Sequence, residues 1–289
     1  MHGSSIPQEY LFSKLILPNP YIIMPVITLT TDFGTKDGFV GTLKGVLWKI
    51  CPAAQIADIS HEIHPQNIIE GAYTLWRAYR FFPPGTVHLA VVDPGVGTSR
   101  RPLAAHLGDH TFVGPDNGLF TPMFEDAEKK NIPVEIFHLT NEKYFLREIS
   151  RTFHGRDIFS PVAAHIANGI PLADLGPVVT NPVRLVMPKP EKTANGWRAH
   201  VTIIDIFGNC TTDLPSVSLV GFDRVTFRFH GREVHGLAPS YGHALPGDLV
   251  ALVDSENFLE IAIVNGNAAR EMGVKVGDSV EVVMEGVTA

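Results

Sequence analysis

Val26-Ile27-Thr28-Leu29-Thr30-Thr31-Asp32-Phe33-Gly34 and Val87-His88-Leu89-Ala90-Val91-Val92-Asp93-Pro94-Gly95 share one pattern: a short apolar or β-branched run, an aspartate, then a glycine turn. Runs of this length suit strands and are too short for independent helices. The second run is apolar apart from His88 and is bounded by turn residues, which suits a central parallel strand covered on both faces. Between the two lie a helical spacing over 37–50 (Phe39, Val40, Leu43, Val46, Leu47, Ile50), a strand over 55–59 and a second helical spacing over 67–79. Cys51-Pro52 stops the first helix and Pro83-Pro84-Gly85 the second. The β-α-β-α-β order predicts an α/β domain with a parallel sheet and right-handed crossovers. In such a sheet, ligands bind beyond the carboxyl ends of the strands. Asp32 and Asp93 are therefore expected to face one crevice.

Further strands are expected at 103–106, 111–113 and 134–138. A helix is expected over 157–168, with Asp157 as N-cap, Pro161 in the first turn and Gly169 at the stop. After residue 186 the character changes. Met187-Pro188-Lys189-Pro190-Glu191-Lys192 reads as a linker, followed by short strands near 198–206, 225–230, 249–253, 259–264 and 279–283 and no convincing helix. The division is an extension over 1–24, a Rossmann-like α/β domain over 25–186, a linker over 187–196, and a smaller all-β, barrel-like domain over 197–289.

Composition narrows the function. The 289 residues carry 23 basic and 30 acidic side chains, a net charge of −7, which argues against nucleic acid or anionic membrane as a partner. No apolar run approaches the ~18 residues that span a bilayer. Two cysteines are too few for a disulfide framework and suit a cytoplasmic enzyme. Charged residues are 18% of the chain, below the ~25% of average soluble proteins, as fits an oligomer with buried faces.

Three segments carry chemistry. Asp93-Pro94-Gly95-Val96-Gly97-Thr98-Ser99-Arg100 is glycine-rich, but its spacing differs from the dinucleotide fingerprint. It reads either as a phosphate loop or as a device returning Arg100 to Asp93, because a buried unpaired charge costs several kcal/mol. Phe153-His154-Gly155-Arg156-Asp157 precedes a helix, and its histidine can act as acid or base. His61-Glu62-Ile63-His64 has metal-like spacing, but Pro65 disfavours a helix there and a closed site wants four ligands, so no metal is assigned.

Together, Thr31-Asp32-Phe33-Gly34-Thr35-Lys36-Asp37-Gly38, the 91–97 segment with Arg100, the 153–157 segment and Phe207-Gly208-Asn209 resemble the S-adenosyl-L-methionine (SAM) hydrolases. These are also called SAM hydroxide adenosyltransferases and are relatives of the SAM-dependent fluorinase and chlorinase. The resemblance runs from about residue 25 to the C-terminus. It implies an α/β domain, a barrel-like C-terminal domain, and a homotrimer with SAM held between one subunit's N-terminal domain and its neighbour's C-terminal domain. The implied reaction turns SAM and water into adenosine and L-methionine, with SAM as substrate and no cofactor.

The family's catalytic set falls on Asp93, Arg100 and His154. Asp32 matches the aspartate holding the ribose hydroxyls, Asp37 the group receiving the methionine ammonium, and Ser255 a contact to the methionine carboxylate. Phe207, Asn209 and Ala268 match adenine contacts. Gln66 stands where the fluorinase has a tryptophan against the ribose, and Glu256 where it has an arginine near the methionine. Halogenating relatives carry tyrosine at the position of Asp93. A carboxylate there repels halide, so the resemblance implies water as nucleophile. The rival readings are a SAM-dependent halogenase and a non-catalytic SAM- or adenosine-binding protein.

Overall fold

The computed structural model describes residues 24–287; all but Met24 of the expected N-terminal extension lies outside them. The N-terminal layer contains β1 (Val26–Thr31), α1 (Phe39–Ile50), β2 (Gln55–Ser60), α2 (Ile68–Tyr79), β3 (Val87–Val91), β4 (Pro102–Leu107), β5 (His110–Pro115), α3 (Thr121–Lys130), β6 (Val134–His138) and α4 (Ser160–Ala167). The sheet order is β2-β1-β3-β5-β4-β6. Five strands point the same way, but β4 runs antiparallel to both its neighbours, β5 and β6, so the sheet is mixed where a parallel one was expected. The cause is local: the two residues between β4 and β5, Gly108-Asp109, make a tight hairpin, and a hairpin joins antiparallel strands.

Helices cover both faces. Leu47 of α1 and Val162 and Ala163 of α4 share one core with Leu29 and Leu89. Leu75 of α2 and Met123 and Phe124 of α3 share the other with Phe112 and Phe120. Asn67 caps α2, its side chain accepting from the Glu70 N–H. Asp157 does not cap α4. It sits inside a wide π-helical turn, Gly155–Phe159, that leads into α4, and its carboxylate accepts from the Ser150 N–H at 2.8 Å and pairs with Arg156. The backbone is already helical at His154, so no cap position remains for Asp157.

The C-terminal part comprises β7 (Glu191–Thr193), β8 (Gly196–Ile204), β9 (Cys210–Pro215), β10 (Phe222–Phe229), β11 (Arg232–His235), β12 (Leu249–Val253), β13 (Phe258–Ile263), α5 (Ala268–Met272) and β14 (Ser279–Val287). β7, within the run read as linker, pairs with β8. All pairings here are antiparallel, in the order β11-β10-β14-β8-β9-β13-β12, and β11 packs beside β12 so that the sheet nearly closes. Its core centres on Val201, Phe227, Ile261 and Val280. Short α5 falls where no helix was expected. The two parts meet along α2, where Arg77 pairs with Asp254, Arg80 pairs with Glu256, and Trp76 meets Phe258 edge-on at 6.0 Å.

Candidate active site

The strand order reverses between β1 and β3: the chain passes from β1 outward to β2, then returns to the other side of β1. The carboxyl ends of these two strands are in register, Thr31 beside Val91. Such a switch point opens a crevice, and Asp32 and Asp93 lie just beyond the two strand ends. A cleft of about 670 Å³ opens there, lined by Asp32, Gln66, Asp93, His154 and the apolar surfaces of Phe33, Phe39 and Phe153, among others. The three phenylalanines pack edge-to-face with centroids 5.3 to 6.0 Å apart, making one wall.

Arg100 returns to Asp93, as the cost of an unpaired charge requires. Its Nε donates to Asp93 Oδ1 at 2.9 Å and Oδ2 at 3.0 Å, and its Nη2 also donates to Oδ2. Nη2 further lies 2.9 Å from His154 Nδ1, and the guanidinium stacks over Phe159 at 5.1 Å. Both side chains of the ion pair are almost wholly buried. Burial, and next the Arg100 charge, push the His154 pKa below the usual histidine range. The glycine loop makes this return possible. Gly97 has φ +75°, and a Cβ there would stand 2.1 Å from the Arg151 carbonyl oxygen, so only glycine lets the loop lie this close. The π-helical turn after His154 aims the imidazole inward, and such turns recur at functional sites.

Asp32 is fixed by an oxygen: its Oδ2 accepts from the Gln66 backbone N–H at 2.8 Å. Gln66 itself holds a left-handed φ of 68°, a conformation that costs a non-glycine residue of order 1 kcal/mol or more. Asp37 is exposed in the turn before α1 and is not among the residues lining the cleft. The lining stops at Arg156, so none of the C-terminal candidates joins it within one chain. Phe207 is 70% exposed and Ser255 is exposed, whereas Asn209 and Ala268 are buried. Glu256 is paired with Arg80. His61 and His64 diverge, the first bonding Thr31 and approaching Asp58, the second bonding Glu70. A further cavity, of about 740 Å³, lies elsewhere, between α2, α3 and β8–β9, and is lined by none of the sequence-predicted site residues. Sequence reading missed Tyr241 and Glu260, which contact Asn209 directly or at one remove.

A doubly covered α/β sheet with a cleft of mixed polar and aromatic lining at its switch point, joined to a nearly closed antiparallel sheet, defines a two-part protein with a candidate small-molecule site. The SAM hydroxide adenosyltransferase N-terminal domain model matches residues 27–176 and the corresponding C-terminal domain model matches residues 199–281. The (R)-S-adenosyl-L-methionine hydrolase of Salinispora tropica is 40% identical over 260 residues, covering 89% of this chain and 97% of that protein. The (R)-S-adenosyl-L-methionine hydrolase of Thermus thermophilus is 38% identical over 261 residues, covering 88% and 98%. A fluorinase of Actinoplanes is more distant, 28% identical with 89% and 97% covered. The crystal structure of an uncharacterized conserved protein from Thermotoga maritima superposes with a TM-score of 0.81 at 39% identity, covering 89% of this chain and 99% of that one. The chain belongs to the SAM hydroxide adenosyltransferase family.

Proposed function

We propose that this protein hydrolyses SAM to adenosine and L-methionine. The observation that carries the reading is the direct contact of Asp93, Arg100 and His154 beside a cleft in the size range of small-molecule sites, on a chain of this family. The water oxygen attacks the ribose 5′ carbon and the C5′–S bond breaks. Its electron pair passes to sulfur, which leaves as a neutral thioether and needs no acid. The attacking water must lose a proton, and bulk water, with a pKa of about 15.7, holds little hydroxide at neutral pH.

The three side chains meet these demands. Arginine has donors only, so His154 Nδ1 accepts from Arg100 and the imidazole proton sits on Nε2. His154 then donates to the water oxygen, Arg100 favours its developing negative charge, and the Asp93 carboxylate, with lone pairs to spare, takes the proton. Alignment opposite sulfur supplies several kcal/mol of barrier reduction. The reaction so written requires no cofactor, and the carboxylate of Asp93 disfavours halide in place of water.

Asp32 holds the ribose hydroxyls through the oxygen that Gln66 leaves free, and Gln66 forms the adjoining wall. Phe207 stacks on adenine, Asn209 and Ala268 bond it, Ser255 holds the methionine carboxylate, Asp37 the ammonium, and Glu256 borders that end. The C-terminal group comes from a neighbouring subunit of a homotrimer. Support for this lies in the lining, which ends at Arg156, and in Phe207, a large exposed apolar side chain of the kind interfaces cover. Among the described residues no helix is long and apolar enough to cross a membrane. Two buried, unpaired cysteines suit a reducing compartment, so the cytoplasm is the proposed location.

The test is incubation with SAM in isotopically labelled water, with and without chloride or fluoride. Adenosine labelled at its 5′ oxygen and methionine in equal amounts are expected. A 5′-halonucleoside, or no product, would overturn the reading.

A further inference from the structure

Asn209 is the centre of a polar network that the proposed reaction does not explain. Its backbone N–H donates to Asp205 Oδ1 at 2.8 Å and its side-chain Nδ2 to Asp205 Oδ2 at 3.1 Å. Nδ2 also reaches the Tyr241 hydroxyl at 3.4 Å, and that hydroxyl donates to Glu260 Oε1 at 2.5 Å. Glu260 is buried, 5% exposed, and is held further by the Thr211 hydroxyl at 3.3 Å. These residues come from a loop end, a turn beyond β11 and the middle of β13, far apart along the chain.

The chemistry of the chain of donors is directional. A carboxylate accepts only, so Asp205 admits the NH₂ end of the Asn209 amide and rejects the oxygen end. Because Tyr241 spends its proton on Glu260, its oxygen can only accept from Asn209. The two contacts agree, and each hydrogen bond polarises the next. Both amide protons are thereby engaged, and Asn209 Oδ1 has no partner among the described residues. A base meeting this amide therefore meets an acceptor.

We propose that Tyr241 and Glu260 are positioning residues that hold Asn209 with its carbonyl oxygen outward, so that the site selects a 6-amino purine over a 6-oxo purine. The inference rests on the proposed reading of Asn209 as an adenine contact. An exocyclic amine donates to Oδ1, whereas a 6-oxo group sets acceptor against acceptor and leaves both unpaired, a loss that a site built on hydrogen bonds turns into discrimination. Arg77 of α2 joins the same network, bonding Asp254 and, at 3.4 Å, Thr211, so the α/β part is tied to the base-reading face.

The experiment compares wild type with Tyr241→Phe, which deletes one oxygen from a partly exposed side chain, and with Glu260→Gln, which keeps an acceptor for the tyrosine. Binding of adenosine and of inosine is measured by calorimetry, and KM and kcat for SAM and its 6-oxo analogue by product chromatography. Tyr241→Phe is expected to lower the adenosine-to-inosine preference and raise KM for SAM by about threefold to tenfold, the range for one neutral hydrogen bond, with kcat within about twofold. Glu260→Gln is expected to retain more of the preference than Tyr241→Phe. A purely structural role would lower melting temperature without moving the base preference. A wild type that turns over SAM, with an unchanged preference in Tyr241→Phe, overturns this inference alone. A wild type that neither turns over SAM nor binds adenosine overturns the reading beneath it as well.

Discussion

Arg100 Nη2 stands 2.9 Å from His154 Nδ1 while the same guanidinium grips Asp93. Protonating His154 would set two cations face to face in a buried site. Burial and then this charge hold its pKa below the usual value of about 6.5. The imidazole therefore takes up its proton at a lower pH than an ordinary histidine does. The acid limb of kcat/KM, measured from initial rates, is expected below about pH 6.5. In Arg100→Met the repelling charge is gone, and NMR titration of the imidazole should show the His154 pKa rising. An unchanged or lower value would show that the guanidinium is not the cause.

Asp93→Asn keeps the shape of the side chain and removes its capacity to take a proton. Turnover is expected to fall roughly 10²–10⁴-fold, with SAM affinity changed only a few-fold. The variant also leaves Arg100 buried without its counter-charge, at a cost of about 3–5 kcal/mol, so melting temperature should drop. Single-turnover rates on protein verified as folded, with equilibrium binding alongside, separate the two effects. Full turnover in that variant would remove Asp93 from the mechanism.

The return of Arg100 depends on the glycine between them. Gly97→Ala places a Cβ 2.1 Å from the Arg151 carbonyl oxygen at a φ of +75°. The loop must shift, and a loss of at least about 1–2 kcal/mol is expected together with reduced kcat. Gly85→Ala is the control: it shares a positive φ of 83° but its Cβ would meet nothing within 4 Å. Calorimetry and rates on the pair separate backbone strain from displacement of Arg100.

The route from β1 to β3 was legible because each element there has a clean period and a clear stop. Leu43 and Leu47 repeat at helical spacing, and both are fully buried. Asp93 and Arg100 were legible as a pair because their separation along the chain is short and burial forces a partner. α3 was missed: Thr121-Pro122-Met123-Phe124 begins with proline at the helix start, and charged residues dilute the apolar stripe that follows. Antiparallel β4 was missed although Gly108-Asp109 is a hairpin signal, because the preceding β-α-β pattern favoured continued parallel pairing. Asp157 looked like an N-cap because aspartate favours that position, but Ser150 and Arg156 hold its carboxylate. The Asn209–Tyr241–Glu260 contacts carry no local signature, since a pleated barrel, not a motif, brings them together.

His88 offers a test of stability away from the cleft. It is fully buried on β3, with Nδ1 2.8 Å from the Thr28 hydroxyl and Nε2 3.1 Å from His110 Nδ1. Its ring stacks on Phe112 at 4.9 Å and meets Tyr79 and Phe82 edge-on. Burial, and next the His110 charge, lower its pKa to about 3. The unfolded chain binds the proton near pH 6.5 and the folded chain resists it, so this contribution to stability is whole above about 6.5 and is lost as pH falls toward 3. The full loss is at most about 5 kcal/mol, from 1.36 kcal/mol per pKa unit. His88→Phe cannot take up the proton. It gives up the Thr28 and His110 bonds, about 1 kcal/mol each at neutral pH, and its melting temperature should fall less steeply than wild type on acidification from pH 8 to pH 4. Parallel curves for the two proteins would show that this histidine does not govern acid stability.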